Sequence, residues 1–119
     1  MEKIKSFKEL RIWQKGIEIV KDVYALTKDF PQEELYGLTT QMRRAAVSIP
    51  SNIAEGFKRY HNKEYKQFLH IVLGSTAELE TQLIIVNELN FIGKESLNGV
   101  LEKLDHVSKM ISSLLNKLK

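Results

Sequence analysis

A chain of 119 residues, 43% hydrophobic and 28% charged, is one domain's worth of ordinary globular sequence, long enough to bury a core without covalent staples. The absence of cysteine excludes disulfides, thiolate metal sites and a cysteine nucleophile, and it fits a reducing, cytoplasmic setting. A formal net charge of +3 permits contact with nucleic acid without requiring it. The charged start of the chain lacks the apolar run of a signal peptide, and no stretch reads as a membrane span of roughly 20 apolar residues.

The first predicted helix covers residues 6–28. Ser6 and Glu9 fit a capping box, in which each side chain satisfies an orphan amide at the helix start. Phe7, Leu10, Trp13, Ile17, Val20 and Tyr24 recur at steps of three and four and define one apolar face. Asp29, Phe30 and Pro31 close the helix. A short turn leads to the second helix, 36–59, with Leu38, Met42, Ala45, Ile49, Ile53 and Phe57 inward. Pro50 removes one helical hydrogen bond and crowds the carbonyl of Ala46. The apolar spacing stays in phase beyond it, so a kink rather than a break is expected.

The third helix, 63–90, has Asn62 as its expected N-cap and Gly93 as its expected stop. Tyr65, Leu69, Val72, Thr76, Leu79, Leu83 and Val86 form its inward seam. The fourth, 94–118, carries Leu97, Val100, Leu104, Val107, Ile111, Leu114 and Leu118, the alternation of a bundle seam. Short links between the helices predict an all-α, antiparallel up-down-up-down four-helix bundle in a single domain, 1–119.

The third helix is more apolar than one inward face needs. No lysine or arginine lies between Lys66 and Lys94, and Ile71, Leu73, Ile84 and Ile85 fall off the seam. A helix apolar on two sides is buried on two sides, so a homo-oligomer is expected, with a thick core within one chain as the alternative. The same stretch holds Glu78 and Glu80 without a local basic partner. A carboxylate in an apolar surround must pair or neutralise. Arg43 and Arg44, beside the small Ala45 and Ala46, are the expected partners. A structural ion-pair network is preferred over a catalytic carboxylate pair.

From Arg43 to Lys66 the balance is basic, with only Glu55 and Glu64 opposed to it. The densest part is 57–66, at the bend between the second and third helices. There Lys58, Arg59, Lys63 and Lys66 are candidate phosphate contacts and Tyr60 is a candidate platform for a base. Lys8, Arg11 and Lys15 share a face of the first helix and make a second candidate patch; in a ring, copies of either patch add up. Catalytic motifs are absent. His61, His70 and His106 are far apart and none follows a glutamate by three residues. There is no phosphate-cradling glycine loop and no zinc-binding His-Glu-x-x-His. No metal, cofactor or small-molecule substrate is expected.

The stretch Tyr36-Gly-Leu-Thr-Thr-Gln-Met-Arg-Arg-Ala-Ala-Val-Ser-Ile-Pro-Ser-Asn-Ile-Ala-Glu-Gly closely resembles the four-helix bundle proteins encoded in intervening sequences of 23S ribosomal RNA genes. It is more distantly similar to the accessory protein of diversity-generating retroelements. Phe7, Leu10 and Trp13, then Phe30-Pro31, Gly74-Ser75 and Glu78-Leu79-Glu80, extend the resemblance over nearly the whole chain. It implies a four-helix protomer in a homopentameric barrel, no enzymatic activity, and association with structured RNA or a nucleoprotein. Arg44, Ser48, Asn52, Glu55, Ser75, Glu78 and Glu80 are polar motif positions on inward or interhelical faces. Together with Arg43 they suit a shared hydrogen-bond network better than a substrate pocket. The leading reading is a non-enzymatic oligomer that binds RNA through a basic surface. A protein-binding scaffold without nucleic-acid contact and an enzyme built on the Arg and Glu cluster are the alternatives.

Overall fold

Four helices account for most of residues 3–118, the part of the chain that the computed structural model describes. They are α1 (Arg11–Thr27), α2 (Thr40–Phe57), α3 (Asn62–Glu88) and α4 (Lys94–Lys117), with no strand among the described residues. α1 and α3 each pack on both α2 and α4, so the four surround one core, in a body 47 × 25 × 20 Å across. Ile19, Met42, Ile49, Ile53, Leu69, Leu79, Leu83, Leu104 and Ile111 are its largest fully buried side chains.

The capping box forms, but on a shorter element than expected. Glu9 accepts from the amides of Ser6 at 3.0 Å and Lys5 at 3.1 Å, and the Ser6 hydroxyl accepts from the Lys8 amide at 3.2 Å. Leu10 is extended, so the box closes a single 3-10 turn, Phe7–Glu9, and α1 starts afresh at Arg11. The deep face of α1 is Ile12, Gly16, Ile19, Val23 and Thr27. Trp13 and Val20 flank it half-buried, and Tyr24 is exposed. The expected face followed the largest side chains, whereas the closest approach follows the smallest. A Cβ on Gly16 would stand 3.3 Å from both Ile49 and Pro50.

α2 buries Met42, Ala45, Ala46, Ile49, Pro50, Ile53 and Gly56 and runs unbroken through Pro50. Its expected first residues are not α-helical. Gln32–Glu34 is a 3-10 turn and Leu35–Thr39 a π turn, bent at Gly37, where φ is −115° and ψ −111°. The Thr40 hydroxyl donates to the Leu35 carbonyl and ties this turn to the helix.

At the start of α3, His61 and not Asn62 takes the cap position, in extended conformation. At its end, Asn90 and not Gly93 supplies the left-handed residue, with φ 64°. The Phe91 amide donates to Val86 at 2.8 Å and the Asn90 amide to Asn87 at 3.0 Å. That is a Schellman motif with asparagine in the place glycine usually holds. Gly93 instead begins α4. Contrary to the reading of the sequence, α3 is long and apolar enough to cross a membrane by length and composition. Its Leu69, Val72, Leu79, Leu83 and Val86 lie in the core of the bundle. Across the core, the Ser48 and Ser75 hydroxyls share a hydrogen bond of 2.5 Å, and Ser108 donates to Thr76 at 3.2 Å.

Candidate nucleic-acid interface

The turn between α2 and α3 is short because the helices touch at its base. A Cβ on Gly56 would lie 2.7 Å from the Cβ of Phe68 and 3.1 Å from Cδ1 of Tyr65. The rings of Phe57 and Tyr65 meet at 6.2 Å, and burial pushes the Tyr65 phenol above its ordinary pKa. The Lys58 amide donates to Ala54 at 3.1 Å and the Arg59 amide to Gly56 at 3.2 Å, which ends α2. Between α2 and α3 the chain puts Tyr60 in the left-handed region, at φ 63°. The residue is 82% exposed.

The N-terminal turn packs against α2 and is held by the capping box and by Phe7 against Trp13, with rings 5.4 Å apart. Between it and the α2–α3 turn lies a hollow of about 250 Å³. Lys5, Ser6, Phe7 and Lys8 line it from one side and Phe57, Lys58 and Tyr60 from the other. Two patches that were separate in the sequence thus share one site at Lys8 and Lys58. Among the described residues no carboxylate lines it, and that of Glu9 is turned into the capping box. Lys5 was not among the residues singled out from the sequence. It precedes the first patterned element, and only its amide's bond to Glu9 and its place in the hollow reveal it.

The other candidates divide. Arg59 is committed to the fold. Its guanidinium pairs with Glu55 at 3.0 Å and Glu64 at 3.8 Å and lies 5.1 Å from the centre of the Phe68 ring. Lys15 pairs with Glu18 at 3.7 Å, on a cluster completed by Lys103 and Asp22. Arg11 and Lys63 are exposed and Lys66 is half-buried; none of the three is in an ion pair among the described residues.

The expected pairing of Arg43 and Arg44 with Glu78 and Glu80 does not occur within the protomer. Arg43 turns to α1, where its Nε donates to Thr27 at 2.9 Å and its guanidinium lies 4.6 Å from the centre of the Tyr24 ring. Arg44 is exposed at a hollow of about 610 Å³ that it lines with Tyr24, Arg43, Val47, Ser48 and Asn52, among others. Asn52 donates to the Ser48 carbonyl at 2.7 Å, and Ser48 to Ala45 at 2.8 Å, so this polar row is joined to Ser75 and not to the glutamates. Glu78 and Glu80 are both exposed. Two residues apart, they point to opposite sides of a helix with 3.6 residues per turn, so they are no carboxylate pair. Glu78 meets Gln82, whose Nε2 is 3.4 Å away, while Gln82 Oε1 is buried without a donor. Ile71, Ile84 and Ile85 of α3, and Leu89 at its C-cap, are exposed. Among the described residues no group of three His, Cys, Asp or Glu is placed to hold a metal ion.

A family model described as 23S rRNA-intervening sequence protein matches residues 8–113. Among solved structures, the chain is similar to a protein of unknown function from the S23 ribosomal protein family of Bacteroides thetaiotaomicron. The TM-score is 0.81 at 21% identity, over 88% of this chain and 95% of that one, a likeness of fold. Comparison with curated proteins finds no match.

Proposed function

The chain belongs to the 23S rRNA-intervening sequence protein family, and from that premise we propose that it is a self-assembling helical protein without catalytic activity that binds structured RNA, alone or within a nucleoprotein. The observation that carries this reading is the convergence of Lys5, Lys8 and Lys58 around an exposed tyrosine, with no carboxylate of the described residues lining the hollow between them. Cations so placed meet phosphates at little cost to the core, and an open aromatic face stacks on a base without regard to sequence. An enzyme built on the Arg and Glu cluster loses its support because Arg44 and Glu78 do not meet in the protomer.

The bundle is taken as antiparallel throughout. In support, Phe57 near the end of α2 meets Tyr65 near the start of α3, while Ser48 further back meets Ser75 further on. Assembly proceeds through α3 and its C-cap, where Ile71, Gly74, Glu78, Ile85 and Leu89 recur at steps of three, four and seven along one outer stripe. Exposed apolar side chains at that spacing fit a second copy of the chain better than water. In this reading Glu78 of one copy enters the arginine-lined hollow of the next. Such a contact between unlike faces builds a ring, and the family resemblance supports five copies in a barrel. Crosslinking in the native host followed by sequencing of the copurified RNA tests the function. Enrichment of particular RNA segments is the expected result. Recovery of a protein partner with no RNA puts the scaffold reading in its place.

A further inference from the structure

Tyr60 combines three properties that packing alone does not account for. Its backbone sits at φ 63°, the residue is 82% exposed, and it has no part in the hydrophobic core. A left-handed conformation costs an ordinary L-residue about 1–2 kcal/mol, and glycine or asparagine takes it far more cheaply. Asn90 fills the equivalent place at the end of α3. Strain of this kind at an exposed aromatic points to a role for the ring outside the fold.

The hollow that Tyr60 lines has the size and chemistry for one kind of guest. At about 250 Å³ it falls short of the ~300 Å³ at which pockets for drug-sized ligands begin, yet it admits a single flat ring system. Phe7 and Phe57 supply apolar lining, Ser6 a polar residue, and Lys5, Lys8 and Lys58 three cationic ones. The wall formed by the N-terminal turn is fixed beforehand by the capping box and the Phe7–Trp13 contact, so binding has little ordering cost to overcome. A base inside a duplex has both faces covered and reaches no such hollow. An unpaired base in a loop, bulge or single strand offers its face, with a phosphate on either side.

We infer that the hollow between the N-terminal turn and the α2–α3 turn receives one unpaired base of an RNA strand, with Tyr60 stacked on it and Lys5, Lys8 and Lys58 on the flanking phosphates. This rests on the RNA reading above and narrows it to unpaired nucleotides.

Fluorescence anisotropy with an unstructured RNA of about 12 nucleotides, a length within the usual single-strand site sizes, and with a blunt RNA duplex of the same length, tests it. At low salt the parent protein binds the single strand more tightly than the duplex. Tyr60→Gly, which relieves the backbone and so keeps the fold, weakens single-strand binding about 5- to 150-fold, the range for loss of one stacked base. It leaves duplex binding and the salt slope unchanged, and Tyr60→Phe restores affinity. Lys5→Gln, Lys8→Gln and Lys58→Gln each flatten the single-strand salt slope by about 0.7. If the parent binds RNA and Tyr60→Gly binds the single strand equally well, the hollow is not the base site and the RNA reading survives on another surface. If the parent binds neither RNA at low salt, the RNA reading fails and this inference with it.

Discussion

Gly56 on α2 lies against Phe68 on α3 so closely that a Cβ on the glycine would come within 2.7 Å of the phenylalanine's own Cβ. The obstacle is an atom fixed to the backbone and not the movable tip of a side chain. Gly56→Ala is therefore expected to destabilise the protein by about 1–3 kcal/mol through overpacking, despite alanine's better helix propensity. Chemical denaturation measures this. Trimming the ring with Phe68→Ala in the same protein should not rescue it, since alanine keeps the offending Cβ. Rescue would mean that the ring, not the backbone approach, limits the contact.

Tyr60→Gly should raise stability by about 1 kcal/mol, the cost of holding an L-residue at φ 63° less glycine's greater chain entropy. Thermal melting should rise by a few degrees. Tyr60→Ala, which keeps a Cβ, should not share the gain. A glycine variant that melts below the parent would show that the exposed ring contributes to the fold after all.

The elements whose burial follows from large side chains at regular steps were legible in the sequence. Leu97, Val100, Leu104, Val107 and Ile111 of α4 and Leu69, Val72, Leu79 and Leu83 of α3 are buried as their spacing requires. What escaped was decided by small residues and by single backbone angles. The face of α1 turned by one residue because Gly16 seats that helix on Pro50. α1 began late because Leu10 is extended, which no periodicity encodes. The candidate site was half legible. Lys8, Lys58 and Tyr60 were named, but their union with Lys5 depends on the N-terminal turn folding back onto α2. The commitment of Arg59 to Glu55 and Glu64 required the turn geometry.

Lys103 ties α4 to α1 through Asp22 at 2.8 Å and Glu18 at 3.6 Å. The hydrogen bond to Asp22, more than any other influence, holds the ammonium above its ordinary pKa of 10.5. A group whose pKa is raised on folding lends its stability below the unfolded value and loses it as the pH climbs through the folded one. The pair is partly exposed, so a double-mutant cycle with Asp22→Asn and Lys103→Met should give about 0.2–1 kcal/mol at neutral pH. That coupling should shrink in high salt and fade at alkaline pH above 10.5. A coupling that persists undiminished above the raised pKa would assign the contact to packing of the lysine stem.

The outer stripe of α3 makes the last expectation. Ile71, Ile85 and Leu89 are 50%, 40% and 50% exposed, so polar replacements there leave the protomer's core intact. Light scattering of the parent at micromolar concentration should give a mass several times 13.8 kDa. Burying a whole isoleucine is worth about 1.5–3 kcal/mol, and finishing the burial of a half-exposed one roughly half of that. Ile71→Lys with Ile85→Lys removes two such contacts per interface and places like charges opposite the arginine-lined hollow, so it should yield monomers with unchanged helical circular dichroism. The hollow can be tested separately. Arg44→Glu and Glu78→Arg should each weaken assembly, and the two together should restore it if those side chains meet across copies. Two single variants that assemble like the parent would place the subunit contact away from this pair. A parent that stays at 13.8 kDa when concentrated would remove self-association altogether and leave the stripe open to a different protein.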